Sequence, residues 1–123
     1  MDDLALSERV IGCAIEVHRH LGPGLLESAY VDCLCFELGA AGLAFQRQVE
    51  LPVVYKGMPL AAAYRLDILI ANRLVVEVKS VERILAVHEA QLLTYLRLSG
   101  HRAGLLLNFN HVVLKEGIRR VVN

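Results

Sequence analysis

Charged side chains interrupt two of the most apolar segments of this 123-residue chain. Asp67 lies within the run Leu66 to Ala71, and Glu77 and Lys79 lie within the run Leu74 to Lys79. Because successive side chains of a strand point to opposite faces, Glu77 and Lys79 share one face of the second segment. Asp and Glu bind a divalent cation through hard oxygen atoms, and a nearby lysine can orient or deprotonate an attacking water. These residue types are the ones that a hydrolytic metal site would need.

Asp67 can join Glu77 and Lys79 only if the connection between the two segments has a suitable length. A three-residue loop over 71–73, or a bulge, would bring Asp67 onto the same face, and we expect one of these. An ordinary salt bridge between Glu77 and Lys79 on a half-exposed face is the alternative. It stays open here, because a pattern of Asp, nine residues, Glu, one residue and Lys is short and common.

Two predicted helices carry polar side chains that could reach the same site. Glu27 lies three positions before Tyr30 and seven before Leu34, so it shares a stripe with residues expected to face the sheet. The alternative for Glu27 is a first-turn acid that complements the helix dipole. Gln91 and Tyr95 are four positions apart on one face of a later helix. They would supply hydrogen bonds to a carboxylate, a lysine or a phosphate oxygen.

The elements that must position these residues follow from hydrophobic periodicity and turn signals. Helices are predicted over 4–21, 25–40 and 84–99, and strands over 46–55, 60–71, 74–79, 103–107 and 117–122. The first three strands form an antiparallel meander, whereas the wholly apolar run 103–107 is typical of a strand buried on both faces and parallel to an earlier one. The fold class is therefore α/β: a single-domain α/β sandwich over 1–123, with helices flanking a mixed sheet.

Composition narrows the classes of protein further. Thirteen Lys and Arg balance thirteen Asp and Glu, which weighs against tight non-specific DNA binding. No apolar run approaches the ~20 residues of a membrane span, and the acidic start Met1 to Leu4 does not resemble a signal peptide, so we expect a cytoplasmic protein. The three cysteines contain no C-x-x-C pair and are expected to be small buried hydrophobes. His88 is expected to be a satisfied polar residue.

The segment Gly24-Leu25-Leu26-Glu27-Ser28-Ala29-Tyr30 resembles the pattern that names the GxxExxY protein family. The resemblance extends over nearly the whole chain, through Asp67, Glu77-Val78-Lys79, His88-Glu89-Ala90-Gln91 and Leu106-Leu107-Asn108-Phe109-Asn110. That family is placed in the PD-(D/E)XK nuclease-like superfamily, which has a restriction-endonuclease-like core. Carried over position by position, the resemblance implies the catalytic residues Glu27, Asp67, Glu77, Lys79, Gln91 and Tyr95. Leu66 stands where the superfamily pattern has proline, which ligates nothing.

The resemblance implies a divalent-metal-dependent nuclease that hydrolyses phosphodiester bonds of DNA or RNA. The groups that would hold Mg²⁺ or Mn²⁺ are Glu27, Asp67, Glu77 and the backbone carbonyl of Val78. Lys79 would position the water and stabilise charge at phosphorus, and Gln91 and Tyr95 would brace the site.

Two other functions remain open from the sequence. A catalytically retired module could keep the nuclease fold and use the pocket to bind a protein or nucleic acid. A third option is a phosphodiesterase that acts on a non-nucleotide substrate. The chain is too small to enclose a duplex, so cleavage of both strands would need two copies, and we expect a homodimer with twofold symmetry.

Overall fold

Five strands form one mixed sheet, and helices cover both of its faces. The computed structural model describes all residues, 1–123. The helices are α1 (Asp3–Leu21), α2 (Glu27–Ala40) and α3 (Ala86–Ser99), and a short 3₁₀ helix covers Leu114–Gly117. The strands are β1 (Phe45–Leu51), β2 (Val54–Tyr55), β3 (Met58–Pro59), β4 (Tyr64–Ile70), β5 (Leu74–Lys79), β6 (Ala103–Asn108) and β7 (Ile118–Val122). The order in the sheet is β1-β4-β5-β6-β7, and β2 and β3 form a separate hairpin.

The two N-terminal helices pack together over one face of the sheet. Asp2 caps α1 by accepting a hydrogen bond from the Ala5 amide at 2.8 Å, and Gly22, with φ of +68°, ends the helix. The prediction for this helix is correct to within one residue. α2 begins at Glu27 rather than at residue 25, because the segment before it forms a turn. Both helices bury apolar side chains in the larger of two core clusters.

α3 covers the opposite face of the sheet over a smaller buried cluster. It begins at Ala86, two residues later than predicted, and ends as predicted before Gly100, which adopts a left-handed φ of +77°. The buried residues of this cluster are Leu51, Leu66, Leu69, Val75, Leu92, Leu96 and Leu106. Apolar contact on both faces explains why β5 and β6 are almost entirely buried.

β1, β4 and β5 form the predicted antiparallel meander, but the β2–β3 hairpin is inserted between β1 and β4. β1 pairs with β4, and β4 pairs with β5. The predicted strands 46–55 and 60–71 are too long: the chain leaves the sheet at Pro52 and returns at Tyr64. Between these points Lys56 and Gly57, with φ of +49° and +83°, form the two-residue turn of the β2–β3 hairpin. The turn was predicted correctly, but it connects the two strands of this small hairpin rather than two strands of the five-stranded sheet.

The C-terminal half completes the mixed sheet as predicted. β6 runs parallel to β5, from Leu74 opposite Ala103 to Lys79 opposite Asn108, and α3 supplies the crossover. β7 pairs antiparallel with β6 and forms one edge. The α/β class with a mixed sheet flanked by helices is confirmed. None of the helices combines the length and the apolar character that crossing a membrane requires.

Candidate active site

The connection between β4 and β5 places Asp67 beside Glu77. It consists of the three residues 71–73, as predicted, and both Ala71 and Asn72 adopt a left-handed φ, of +53° and +55°. Ile70 then lies opposite Leu74, and the regular pairing continues to Ile68 opposite Val76. The next positions along the two strands are Asp67 and Glu77. An odd loop length therefore brings the two carboxylates together, since it fixes their parity.

Asp67 also lies where β4 changes the face that it presents to the core. Ile68 belongs to the cluster under α1 and α2, whereas Leu66 belongs to the cluster under α3, although strict alternation would place both on one face. β1 is irregular at the same level: Gln48 has a φ of +51°, and the pairing with β4 omits Gln48 and Asp67. This irregularity leaves the Asp67 amide without a strand partner in β1.

Hydrogen bonds to the backbone fix both carboxylates. The Asp67 amide donates to Glu77 Oε2 at 2.9 Å, and the Val78 amide donates to Asp67 Oδ2 at 2.9 Å. Neither Asp67 Oδ1 nor Glu77 Oε1 accepts a hydrogen bond from the protein. Each side chain is thus oriented through one oxygen, and the other oxygen remains available to a ligand.

Burial raises the pKa of both carboxyl groups, which makes them weaker acids than usual. Glu77 is only 5% exposed. Desolvation, followed by repulsion from Asp67, raises the pKa of Glu77 to about 8 against the opposing effects of its backbone hydrogen bond and Lys79. Burial also raises the pKa of Asp67, while the Val78 hydrogen bond and Lys79 lower it. The positive charge of Lys79 is therefore not enough to offset the desolvation of the two acids and the repulsion between them.

Lys79 lies on the Glu77 face of β5 without forming an ion pair. Its Nζ is 3.5 Å from Gln91 Oε1, and Gln91 Nε2 donates to the Tyr95 hydroxyl at 3.2 Å. The ion pairs of the structure all lie elsewhere, so Glu77 and Lys79 do not form the ordinary salt bridge that the sequence left open. Gln91 on α3 therefore reaches the β5 lysine, and Tyr95 contacts Gln91 rather than the lysine.

Glu27 lies at the rim of this group. It is the first residue of α2, it is exposed, and it makes no hydrogen bond or ion pair. Its charge nevertheless raises the pKa of both Asp67 and Glu77. No group of three acid, histidine or cysteine side chains is placed to hold a metal ion. Glu27 therefore does not form a three-carboxylate group with Asp67 and Glu77 here, and its place in the site stays a prediction.

Two hydroxyl groups that the sequence did not single out position the segment before Glu27. The buried Tyr30 hydroxyl donates to the Gly22 carbonyl at 2.6 Å and accepts from the Leu25 amide at 3.1 Å. Ser80 Oγ donates to the Leu25 carbonyl at 2.6 Å, which joins the start of α2 to the residue after Lys79. A buried tyrosine requires a partner for its hydroxyl, and that requirement was the available signal for Tyr30.

Asn108 fixes the chain on the other side of Ser80. It is fully buried, its Oδ1 accepts from the Val81 amide at 3.0 Å, and its Nδ2 donates to the Val81 carbonyl at 2.9 Å. A buried amide at the end of an apolar strand was the sequence signal for this role. His88 Nδ1 accepts from the Leu85 amide at 2.9 Å at the start of α3, so the prediction of a satisfied polar residue is confirmed.

The donor set fits a divalent cation of the hard class. Asp67 Oδ1 and Glu77 Oε1 are carboxylate oxygens on adjacent strands, and a positive charge between them would relieve their repulsion. Water and a phosphate oxygen would have to complete the coordination, because only these two acids are held together. The oxygen donors suit a hard cation rather than a soft metal, since the three free cysteines do not join the group.

Comparison with known proteins identifies one family for this chain. No curated protein and no solved structure matches the chain. A family model does match, over residues 4–121, and the matched range includes every element that carries the site. The narrower assignment to the GxxExxY family stays a prediction from the motif. The family model describes a superfamily of nucleases, and this chain therefore belongs to the PD-(D/E)XK nuclease superfamily.

Proposed function

We propose that the protein is a divalent-metal-dependent nuclease that hydrolyses phosphodiester bonds in DNA or RNA. The superfamily supports a nuclease-type function in general, and its nucleases generally use divalent metals. The observation that carries the proposal is the Asp67–Glu77 pair: each carboxylate is held by a backbone amide, and each keeps one oxygen without a partner. Such a pair is costly to bury unless a cation balances it.

Asp67 and Glu77 would hold Mg²⁺ or Mn²⁺ through Oδ1 and Oε1, respectively. Glu27, whose charge already reaches both acids, and the Val78 carbonyl would add ligands directly or through water. An ion held by these residues would supply Lewis-acid chemistry: polarisation of a phosphate oxygen and a more acidic attacking water. The protein contributes fixed carboxylates, so little reorganisation is needed when the substrate arrives.

Lys79 would orient the attacking water and stabilise charge on the phosphate oxygens. Its ammonium group is half-buried and unpaired with any carboxylate, so its charge is available to the substrate. Gln91 holds the ammonium from α3, and Tyr95 in turn holds the Gln91 amide. These two residues therefore set the direction in which Lys79 points.

A binding module that retains only the fold is the second candidate. The balanced charge of the chain favours it, because a nuclease that grips a long duplex needs a positive surface. The Asp67–Glu77 pair opposes it, because an idle site gains nothing from buried, repelling acids.

Two further features of the proposal concern location and assembly. The three free cysteines support a cytoplasmic location. A homodimer would be required for paired cuts in a duplex.

A nuclease assay tests the proposal. Single- and double-stranded DNA and RNA would be incubated with the protein in Mg²⁺, in Mn²⁺ and in EDTA, with the Glu77→Gln variant as a matched control. Glutamine keeps the size of the side chain and its hydrogen bond from the Asp67 amide. We expect metal-dependent cleavage of at least one substrate by the wild type and none by the variant. Cleavage that persists in EDTA, or that the variant retains, would contradict the proposal.

A further inference from the structure

An apolar groove of about 190 Å³ adjoins the candidate active site. It lies between α3 and the loop that carries the β2–β3 hairpin, and its lining residues are Val53, Leu60, Tyr64, Thr94, Tyr95 and Leu98. Tyr95 belongs to both places, since its hydroxyl bonds to Gln91 and its pKa is raised by burial and by the charge of Glu77. Tyr95 therefore connects the groove, which it lines, to the Gln91–Lys79 contact of the candidate site.

An aromatic pair forms one wall of this groove. The rings of Tyr64 and Tyr95 pack edge to face, with centroids 6.4 Å apart and an interplanar angle of 65°. Tyr64 is 38% exposed although it is large and aromatic, so the core does not account for its position. An exposed ring beside an apolar groove offers a surface on which a flat ligand can stack.

The neighbouring hairpin extends the same kind of surface. Tyr55 is 58% exposed and Met58 is also exposed, and neither belongs to a core cluster. Lys56 Nζ lies 5.4 Å from the centre of the Tyr55 ring, at the hairpin turn. Aromatic rings combined with a cation are the usual means by which proteins bind bases and backbone of a single strand.

The charge of the chain favours a single strand over a duplex. With no net positive charge, few phosphates can be neutralised, so ionic contacts supply little of the binding energy. Stacking on aromatic rings can supply it instead, but a base in a duplex has both faces covered by its neighbours. A groove of this size and apolar character suits one flat ring system rather than a helix.

We propose that this groove binds an unpaired nucleobase next to the scissile phosphate, through stacking on Tyr64, so that the substrate is single-stranded nucleic acid. The inference rests on the proposed nuclease function and deepens it. It assigns the base to the groove, the phosphate to the Asp67–Glu77 pair, and Tyr95 to the boundary between them.

Binding is measured in EDTA, so that cleavage plays no part. Fluorescence anisotropy of a labelled single-stranded oligonucleotide is compared with that of the same sequence as a blunt duplex. The variants are Tyr64→Ala, Tyr64→Leu, which keeps apolar bulk without the aromatic ring, and Tyr64→Phe, which keeps the ring. Phe36→Ala is the matched control, because Phe36 is 74% exposed on α2 at the opposite face of the sheet. Thermal melts identify the variants that remain folded.

We expect the single strand to bind more tightly than the duplex. Tyr64→Ala and Tyr64→Leu should weaken single-strand binding by about five- to fifty-fold, whereas Tyr64→Phe and Phe36→Ala should change it by less than about twofold. An abasic position moved stepwise along the oligonucleotide should weaken wild-type binding at one register. The same abasic position should cost the Tyr64→Leu variant little, because the stacking contact is already lost.

Three results would overturn the inference: tighter binding of the duplex, an equal effect of Tyr64→Leu and Phe36→Ala, or an abasic effect that Tyr64→Leu does not reduce. A failure here can be distinguished from a failure of the proposed function. Metal-dependent cleavage of duplex with no effect of Tyr64→Leu would retain the nuclease and reject the groove. Tyr64-dependent binding without cleavage under any metal would support the groove as a binding surface and reject the nuclease.

Discussion

Asp67 and Glu77 orient each other through the backbone. The Asp67 amide donates to Glu77 Oε2, and Asp67 Oδ2 accepts from the amide of the residue that follows Glu77. No ion pair takes part in this arrangement. Two buried acids are therefore held in place before any cation arrives, and the energetic cost of that preorganisation is the ionisation of Glu77 beside Asp67.

The stability of the metal-free protein should depend on pH because of Glu77. Its pKa is about 8 in the folded protein, above the ordinary value of 4.5, so the folded state binds the proton more tightly than the unfolded state. This contribution to stability is complete below about pH 4.5 and is lost as the pH rises through about 8. We expect the free energy of unfolding to fall by a few kcal/mol, on the order of 1–4, between pH 6 and 9 in EDTA.

Urea unfolding at a series of pH values measures this dependence. Glu77→Gln should flatten the curve, whereas Glu8→Gln, which changes an exposed acid on α1, should not. Mn²⁺ should also flatten it, because a bound cation lowers the pKa of both site acids. A wild-type curve that is flat in EDTA would show that Glu77 is not buried beside Asp67 as described.

Lys79→Ala should separate metal binding from hydrolysis. An ammonium group cannot ligate a cation, so Mn²⁺ affinity should be retained or slightly increased, while cleavage should slow by about 10²-fold or more. Asp67→Asn should reduce both quantities together, because it removes a ligand. Calorimetric Mn²⁺ titrations and initial cleavage rates measure the two effects, with the exposed Lys115→Ala as control. Loss of Mn²⁺ binding in Lys79→Ala with wild-type cleavage would make the assigned roles untenable.

Tyr95→Phe should lower the cleavage rate slightly, and this effect should depend on the presence of Lys79. The variant keeps the ring and removes the hydroxyl that accepts from Gln91. The loss of one hydrogen bond is worth about 0.5–1.5 kcal/mol, which corresponds to a cleavage rate lower by about 2- to 12-fold. In a Lys79→Ala background, Tyr95→Phe should have almost no effect on the cleavage rate, because the ammonium group that Gln91 and Tyr95 orient is already absent. Additive rate losses in the double variant would contradict this connection.

Tyr30→Phe should destabilise the protein. Its buried hydroxyl donates one hydrogen bond and accepts another, so we expect a loss of about 1–3 kcal/mol in the free energy of unfolding. Tyr55→Phe, which removes an exposed hydroxyl, is the matched control and should cost almost nothing. Denaturant titrations of both variants provide the comparison, and equal losses would contradict the role given to Tyr30.

The sequence predicted the elements better than the contacts between them. α1, β5 and β6 were correct to within about one residue, because each has a strong hydrophobic period or a wholly apolar run. The meeting of Asp67 and Glu77 was also predictable, since the parity of a three-residue loop decides it. The local sequence pattern was therefore sufficient where the structure depends on a single element or on one short connection.

The parts that the sequence did not predict depend on long-range geometry. The change of face at Asp67 coincides with the irregular β1–β4 pairing at Gln48, which no alternation pattern reveals. The exposed position of Glu27 depends on where α2 begins, and the turn before it is fixed by Ser80, 55 positions away from Leu25. Such contacts are decided by tertiary packing rather than by local propensity.

The direct test of the central claim is Mn²⁺ binding followed by electron paramagnetic resonance, in which the sharp signal of free aqueous Mn²⁺ decreases as the ion binds. Wild-type protein should remove the free signal in a saturable manner at neutral pH, and Glu77→Gln and Asp67→Asn should both leave it nearly unchanged. Glu8→Gln should behave as wild type. If wild-type protein at millimolar concentration leaves the free Mn²⁺ signal intact, the Asp67–Glu77 pair is not a cation site, and the binding-module function should replace the nuclease.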